Sequence, residues 1–526
     1  MALGYKTIGG RTVTLLPIDT AAFADEGTPT LRLSGREYAA MATARVMRAA
    51  QANFEYPMRS EGGIVRSGRK AVAGDELAKL IQHKQFAVFE DGDTRLTRVM
   101  YRELVLRFRP DVKATLRKAF LKRQGLSVLS HSAWQASQVI VKEAVRRRTS
   151  TELVALALEL ADSSELEFAT PNFVSQYQRS ATAAALAPPA AQWHLRLVRA
   201  RQAWALSAGR PRVKVAVLDD GVDVEHPELR LNVLRKPDPA EPRDLVGRDF
   251  FLPDSQPDHF NPRPKRFRAP FDSMSGNDIH GTPCAGVAVG RGPRGFGLAP
   301  RCKLLPVKIV HGDDLAVDSR VADAIRYAGA FADVLSCSWS GSPSPDLEAA
   351  LADVAATGRG GKGAVVVCAT GNDQRARVGY PASDPNCIAV GASTDADDLA
   401  RYSNTGPQVW VVAPSSGGSK GIFTTDVAVP GRGFNIGLAE AGGADGLFTN
   451  SFGGTSSATP LVAGLVALML SVDPRLTVGD IRQHLAESAV KIGPASAYDA
   501  AGHSPRFGHG RIDARAALDR VRAGLA

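Results

Sequence analysis

Three residues set far apart in the 526-residue chain carry side chains that together could open an acyl bond: Asp219, His280 and Ser456. A serine hydroxyl becomes a nucleophile only beside a base, and an imidazole base works best when an acid fixes its tautomer. Each residue alone has a plainer reading. Ser456 lies in "NSFGGTSSATPLVAGLVALML", Asn450 to Leu470, where a serine ahead of an apolar run is an ordinary helix cap and Pro460 suits a first turn. Asp219 closes the run "VKVAVLDDG" and by itself would be a turn residue, while His280 opens "HGTPCAGVAVG" and by itself would be a cap or a surface group. The combination favours chemistry, because all three fall at element ends. A glycine turn lets substrate approach the backbone, and a helix N-terminus supplies a positive field at Ser456, whose hydroxyl is expected to meet His280.

Elements able to hold such residues are legible around them. "VKVAVLDDG", "CKLLPVKIV", "VLSCSWSG", "GAVVVCATGN" and "NCIAVGAS" read as buried strands, with "SRVADAIRYAGAFA" and "SPDLEAALADVAATG" as helices between them. Strands alternating with helices predict an α/β domain with a doubly wound parallel sheet, whose ligands gather at the carboxyl ends of the strands.

"VAVLDDGVDVEHPEL", "HGTPCAG" and "GGTSSATPLVAG" resemble the three signature segments of the subtilisin-like serine proteases, in that family's order of Asp, His and Ser. The resemblance runs from about Gln192 to Arg522, and the spellings "DDG" and "HGTxCAG" are closest to the kexin and furin branch. It implies a serine endopeptidase with Asp219, His280 and Ser456 as triad and Asn372 of "VVVCATGND" as the side-chain donor to the oxyanion. It also implies that "SCSWSG", with Ser338, Trp339 and Ser340, pairs with an extended peptide, and that Gly379 lies at the base of the first specificity pocket. Pro343 and Val378 stand where furin-like enzymes carry acids, so a deep lysine or arginine pocket is not expected. Asp220 and Asp373 remain as acids that would favour basic side chains near the cut.

Upstream, "ELVLRF", "QVIVKEAV" and "LEFATPNFV" read as strands and "DVKATLRKAFLKRQG" and "TSTELVALALELADSS" as helices, a small α+β sandwich. The first helix is expected to turn Val112, Leu116, Ala119 and Phe120 inward and to stop at Gly125. The second should turn Leu153, Leu156, Ala157 and Leu160 inward. Residues 98–176 resemble the family's ferredoxin-like propeptide domain, which implies an intramolecular inhibitor released by a signal or an activating partner. Residues 1–97 form an extra subdomain of unknown role, 177–191 an Ala/Pro-rich linker, and 192–526 the catalytic domain. The resemblance requires no cofactor for the chemistry and leaves room for a structural calcium, for which "DFFLPDSQPD" is rich in oxygen ligands but lacks EF-hand spacing.

Composition narrows the classes further. Net charge is +10, most of it ahead of Tyr177, yet the basic clusters carry neither a reading module nor stacking aromatics, so no nucleic-acid partner is expected. Five cysteines without CxxC spacing suggest neither a disulfide framework nor a zinc or other metal site, and point to a reducing compartment. The N-terminus lacks a signal-peptide pattern and the run Leu461 to Leu470 is too short for a bilayer, so a cytoplasmic protein without a membrane partner is expected. A degenerate, peptide-capturing fold would not need all four catalytic positions filled. An α/β-hydrolase esterase would need a G-x-S-x-G elbow and another residue order.

Overall fold

The computed structural model describes residues 4–7, 12–17, 87–91, 97–145, 148–176, 178–179, 192–235, 245–252, 256–265, 278–292, 294–312, 315–428, 433–435 and 441–525. The expected linker falls almost wholly outside them.

The first strands are β1 (Gly4–Lys6), β2 (Thr12–Pro17), β3 (Ala87–Asp91) and β4 (Thr97–Phe108). Next come helix α1 (Ala114–Gln124), β5 (Leu126–His131), β6 (Gln138–Glu143), helix α2 (Ser150–Leu160) and β7 (Leu166–Gln176). From β4 to β7 this is a βαββαβ unit in which β4 lies between β6 and β7 and β5 is the outer neighbour of β6. The sheet continues through β3 to β2 and β1, so described strands within residues 1–97, read from the sequence only as an extra subdomain, join the same sheet, and β4 itself crosses that boundary. Leu104, Leu106 and Phe108 alternate onto the helix-covered face, where α2 buries Leu153, Leu156, Ala157 and Leu160 as expected.

α1 corrects the inward face read from the sequence. Gly125 does end it in the left-handed region, at φ 67°, but the buried residues are Phe120 and Leu121, while Leu116 is 56% exposed and Ala119 is also exposed. The guanidinium of Arg117 lies over the Phe108 ring at 5.5 Å, so a charged side chain with an apolar stem covers the surface that Leu116 was expected to cover. β5 was not expected at all, since most of its side chains are exposed.

After β8 (Gln178–Arg179) comes the larger domain, with β9 (Lys214–Asp219), β10 (Arg248–Asp249), helix α3 (Gly281–Val289), β11 (Lys303–Lys308) and β12 (Leu315–Val317). Helix α4 (Asp318–Phe331), β13 (Val334–Cys337), β14 (Trp339–Ser340) and helix α5 (Pro345–Gly361) follow. Then come β15 (Val365–Ala369), β16 (Cys387–Ser393), β17 (Val409–Pro414) and helix α6 (Thr455–Val472). Seven strands form one parallel sheet in the order β10-β11-β9-β13-β15-β16-β17, of which β10 and β17 escaped the sequence reading. Val215 and Val217 face a core shared with α3 and α6, whereas Ala216 and Leu218 face a core shared with α4 and α5. Burial on both faces explains the unbroken apolar runs.

Strand order reverses at β9, between β11 and β13, which places a topological switch point beside Asp219. α6 is longer than its apolar run suggested. Among the described residues it is the one helix long and apolar enough to cross a membrane, and 94% of that stretch is buried inside the chain's own core.

Candidate active site

Asp219 is the last residue of β9, and its carboxylate faces His280 Nδ1 at 2.8 and 3.0 Å. Both side chains are buried, at 2% and 1% exposure. His280 immediately precedes α3, whose first residue must be small: a Cβ on Gly281 would lie 2.2 Å from Gly221 O. The chain leading into His280 is pinned through Asp278, which accepts from Lys265 N at 2.6 Å and Gly312 N at 2.8 Å and pairs with His311 and buried Lys308. Burial opposes ionisation of Asp278, but the Lys308 and His311 charges hold its carboxyl well below the usual range.

Ser456 is the second residue of α6. Its Oγ donates to Ser338 O at 3.1 Å, and Ser338 Oγ in turn donates to Ser456 O at 3.1 Å. The expected hydroxyl bond to His280 is therefore replaced by one to a main-chain carbonyl that follows β13, and buried His280 Nε2 has no hydrogen-bond partner among the described residues. Cys284, one turn into α3, brings its Sγ to 3.8 Å from His280 Nδ1 and 3.7 Å from Ser456 O. Burial, and then the Asp219 charge, push this thiol far up.

Asn372 follows β15. Its Oδ1 accepts at 2.9 Å from both N and Oγ1 of Thr455, the residue before Ser456, which leaves Nδ2 buried and unbonded among the described residues. An amide held by its oxygen with its N–H₂ unspent is what an oxyanion donor needs. Asn404 makes this arrangement rigid: Nδ2 donates to Thr370 O at 3.1 Å, and Oδ1 accepts from Asp373 N at 3.0 Å and Arg375 N at 2.9 Å. Its only sequence signal was "YSNTG", which reads as a turn.

The chain's own upstream segment pairs with both β12 and β14. Val174–Gln176 of β7 pairs antiparallel with Leu315–Val317, and then Gln178 and Arg179 pair antiparallel with Ser340 and Trp339. The Trp339 ring points into the core and donates to Leu218 O at 3.0 Å, leaving its main chain for the strand pairing. Gly379 packs where a Cβ would come within 3.2 Å of both Ser340 Oγ and Thr370 O. Val378 is buried, Pro343 O accepts from Arg98 Nη2 at 2.8 Å and from Tyr5 OH, and Asp373 is an exposed acid on the Asn372 loop.

Asp220 does not belong with these substrate-facing residues, contrary to the sequence expectation. It is fully buried, and its carboxylate accepts from the main-chain N–H groups of Ile279, His280 and Gly281. In the oxygen-rich segment 249–258, Asp249 and Asp258 face Lys265 Nζ at 3.5 and 3.1 Å, so the described carboxylates there are already paired with an ammonium. Among the described residues the one group able to converge on a metal is Asp219, His280 and Cys284, where His280 Nδ1 is already engaged by Asp219.

Residues 210–510 match the model of the subtilase family. The chain is similar to the calcium-dependent protease of Trichormus variabilis, 32% identical over 459 residues that take in 80% of this chain and 64% of that protein. A match of that extent must reach upstream of Gln192. The chain thus spans under two thirds of that relative's length. It is also 29% identical to subtilisin BL of Lederbergia lenta, covering 58% of this chain and 90% of that one, and 30% identical to kexin of Saccharomyces cerevisiae, covering 58% and 35%. Near-equal identity to both singles out neither branch.

Proposed function

Since the chain belongs to the subtilase family, we propose that it is a serine endopeptidase that works through Asp219, His280, Ser456 and Asn372. The observation that carries this reading is the pair of buried, unspent nitrogens, His280 Nε2 on a ring held by Asp219 and Asn372 Nδ2 on an amide held by Thr455, the residue before Ser456. Ser456 Oγ leaves Ser338 O, gives its proton to His280 Nε2 and attacks the scissile carbonyl. The oxyanion that forms is met by Asn372 Nδ2 and by main-chain N–H groups at the start of α6. His280 passes the proton to the leaving amine, and a water then repeats the sequence on the acyl-enzyme. Asp219 keeps the proton on Nδ1 and stabilises the imidazolium. The family's hydrolysis needs no cofactor.

Substrate enters as an extended strand between β12 and β14, the position held here by Val174–Arg179, so the N-terminal region acts as an intramolecular inhibitor until a partner or a cut displaces it. Buried Val378 and buried Asp220 argue against a basic requirement at the cut, leaving Asp373 as an exposed acid on the Asn372 loop. The relative's name carries calcium dependence, and here Lys265 Nζ pairs with Asp249 and Asp258 of the oxygen-rich segment 249–258. Five free, buried thiols suit a reducing compartment such as the cytoplasm.

The test is labelling of the purified chain with a fluorophosphonate, peptide hydrolysis, and mass spectrometry of the products. Once the N-terminal region has been displaced by limited proteolysis, the parent should label at Ser456 and hydrolyse, and Ser456→Ala and His280→Ala treated in the same way should lose both activities. Undiminished hydrolysis in either variant would overturn the mechanism.

A further inference from the structure

We propose that Asp220 is a positioning residue for His280, holding the catalytic base by its main chain while Asp219 holds it by its ring. This rests on the endopeptidase reading above.

His280 is the residue at the N-cap position of α3, and it makes no side-chain cap bond because its imidazole is turned to Asp219. A helix start leaves its first N–H groups without intrahelical partners, and an N-cap side chain normally takes one of them. A base that must keep its ring free for proton transfer cannot cap its own helix. Asp220 does so from the neighbouring strand end. Its Oδ2 accepts from Ile279 N at 2.9 Å and His280 N at 3.0 Å, and its Oδ1 accepts from Gly281 N at 2.8 Å and His280 N at 3.2 Å. Pro283 has no N–H to satisfy, and Cys284 N already reaches His280 O at 3.3 Å.

The placement is fixed from the other side as well. Asp220 N donates to Asp219 Oδ1 at 2.9 Å, so the carboxylate that orients the ring is itself tied to the residue that orients the backbone. Gly221 takes φ 116°, and the missing Cβ of Gly281 lets α3 close onto this turn, which brings the carboxylate within reach of three successive N–H groups. An anion at a helix N-terminus is also favourably placed in the helix field. Asp220 is fully buried and its carboxylate accepts from main-chain N–H groups on either side of the His280 Cα, so its effect on catalysis passes through the aim of His280, where displacement by about an ångström costs on the order of 100-fold.

The experiment compares parent, Asp220→Asn and Asp220→Ala as full chains after activation, on two peptides that differ only in having alanine or lysine ahead of the cleaved residue. Expected is a graded fall in kcat, roughly tenfold or less for Asn, which keeps one acceptor, and roughly 10- to 100-fold for Ala, with KM within about twofold and the same ratio on both peptides. Thermal melting of Asp220→Asn near the parent separates aim from unfolding, and this variant decides alone if Asp220→Ala fails to fold. A rise in KM confined to the lysine peptide would make Asp220 a specificity residue and overturn the proposal. Parental kcat in a folded variant would overturn it too. A parent chain that neither labels nor hydrolyses would instead sink the endopeptidase reading itself.

Discussion

Asn372 illustrates how one side chain can be spent at one end and idle at the other. Thr455 donates twice to its oxygen, and its Nδ2 is buried without a partner among the described residues, an arrangement that costs stability in the resting protein and is relieved when charge develops on a carbonyl oxygen. Asn372→Ala should therefore lower kcat by roughly 10²- to 10³-fold with little change in KM, as read from steady-state hydrolysis. A pure rise in KM would assign the amide to ground-state binding. Asp219, His280, Ser456 and Asn372 were legible because each sits in a short local motif whose spelling survives without the fold. Asn404 and the capping role of Asp220 were not. Their partners lie 29 to 34 residues away for Asn404 and 59 to 61 away for Asp220, and no local pattern announces them.

Individual elements were legible where burial imposes a period. The central strands are buried on both faces and α2 has a clean inner stripe, so both were read correctly. α1 was misjudged because Arg117 covers a surface that apolar counting gave to Leu116, and β5 was missed because an edge strand with exposed side chains carries no alternation to read. The short β8, two residues long, gave no period to read, yet it carries a prediction. A fragment ending at Gln176 retains the pairing to β12 but lacks the pairing of Gln178 and Arg179 to β14. Added in trans to the catalytic region, a fragment extended to Arg179 should inhibit at lower concentration than one ending at Gln176. Equal inhibition constants would mean that β8 adds nothing, and absence of inhibition by either would remove the inhibitor reading.

Across the whole molecule, the two domains meet through a seam rich in ionisable groups. Arg107 forms paired hydrogen bonds to Asp353 at 3.1 and 3.2 Å, Gln138 donates to Asp346 at 3.0 Å, and Val105 and Phe168 pack on Ala349. Glu103 lies on the same strand, and burial, against the bond from Asn172 and the charges of Arg320 and Lys142, pushes its carboxyl up to about 7. Asp346 is also pushed up by burial, against Arg326. A raised carboxyl favours the docked state while protonated, so that contribution is present below the ordinary value of 4.5 for Glu103 and is lost as pH rises through about 7. The inhibition constant of the Arg179-terminated fragment should therefore increase from pH 5 to pH 8, and Glu103→Gln should flatten the rise; a flat profile in the parent would show that the seam does not titrate. None of this was legible in the sequence, since the pairs join residues on different domains, 188 positions apart for Gln138 and Arg326. On the proposed reading, the segment that pairs with β12 and β14 holds the substrate's place and belongs to the same chain as the site, and this changes the terms of competition. On that reading, while the chain is continuous between Arg179 and Gln192 the occupant's effective concentration does not depend on the amount of protein, and added substrate competes with an intramolecular rival. A single break in that stretch converts the occupant into an ordinary ligand, and dilution alone then begins to empty the cleft.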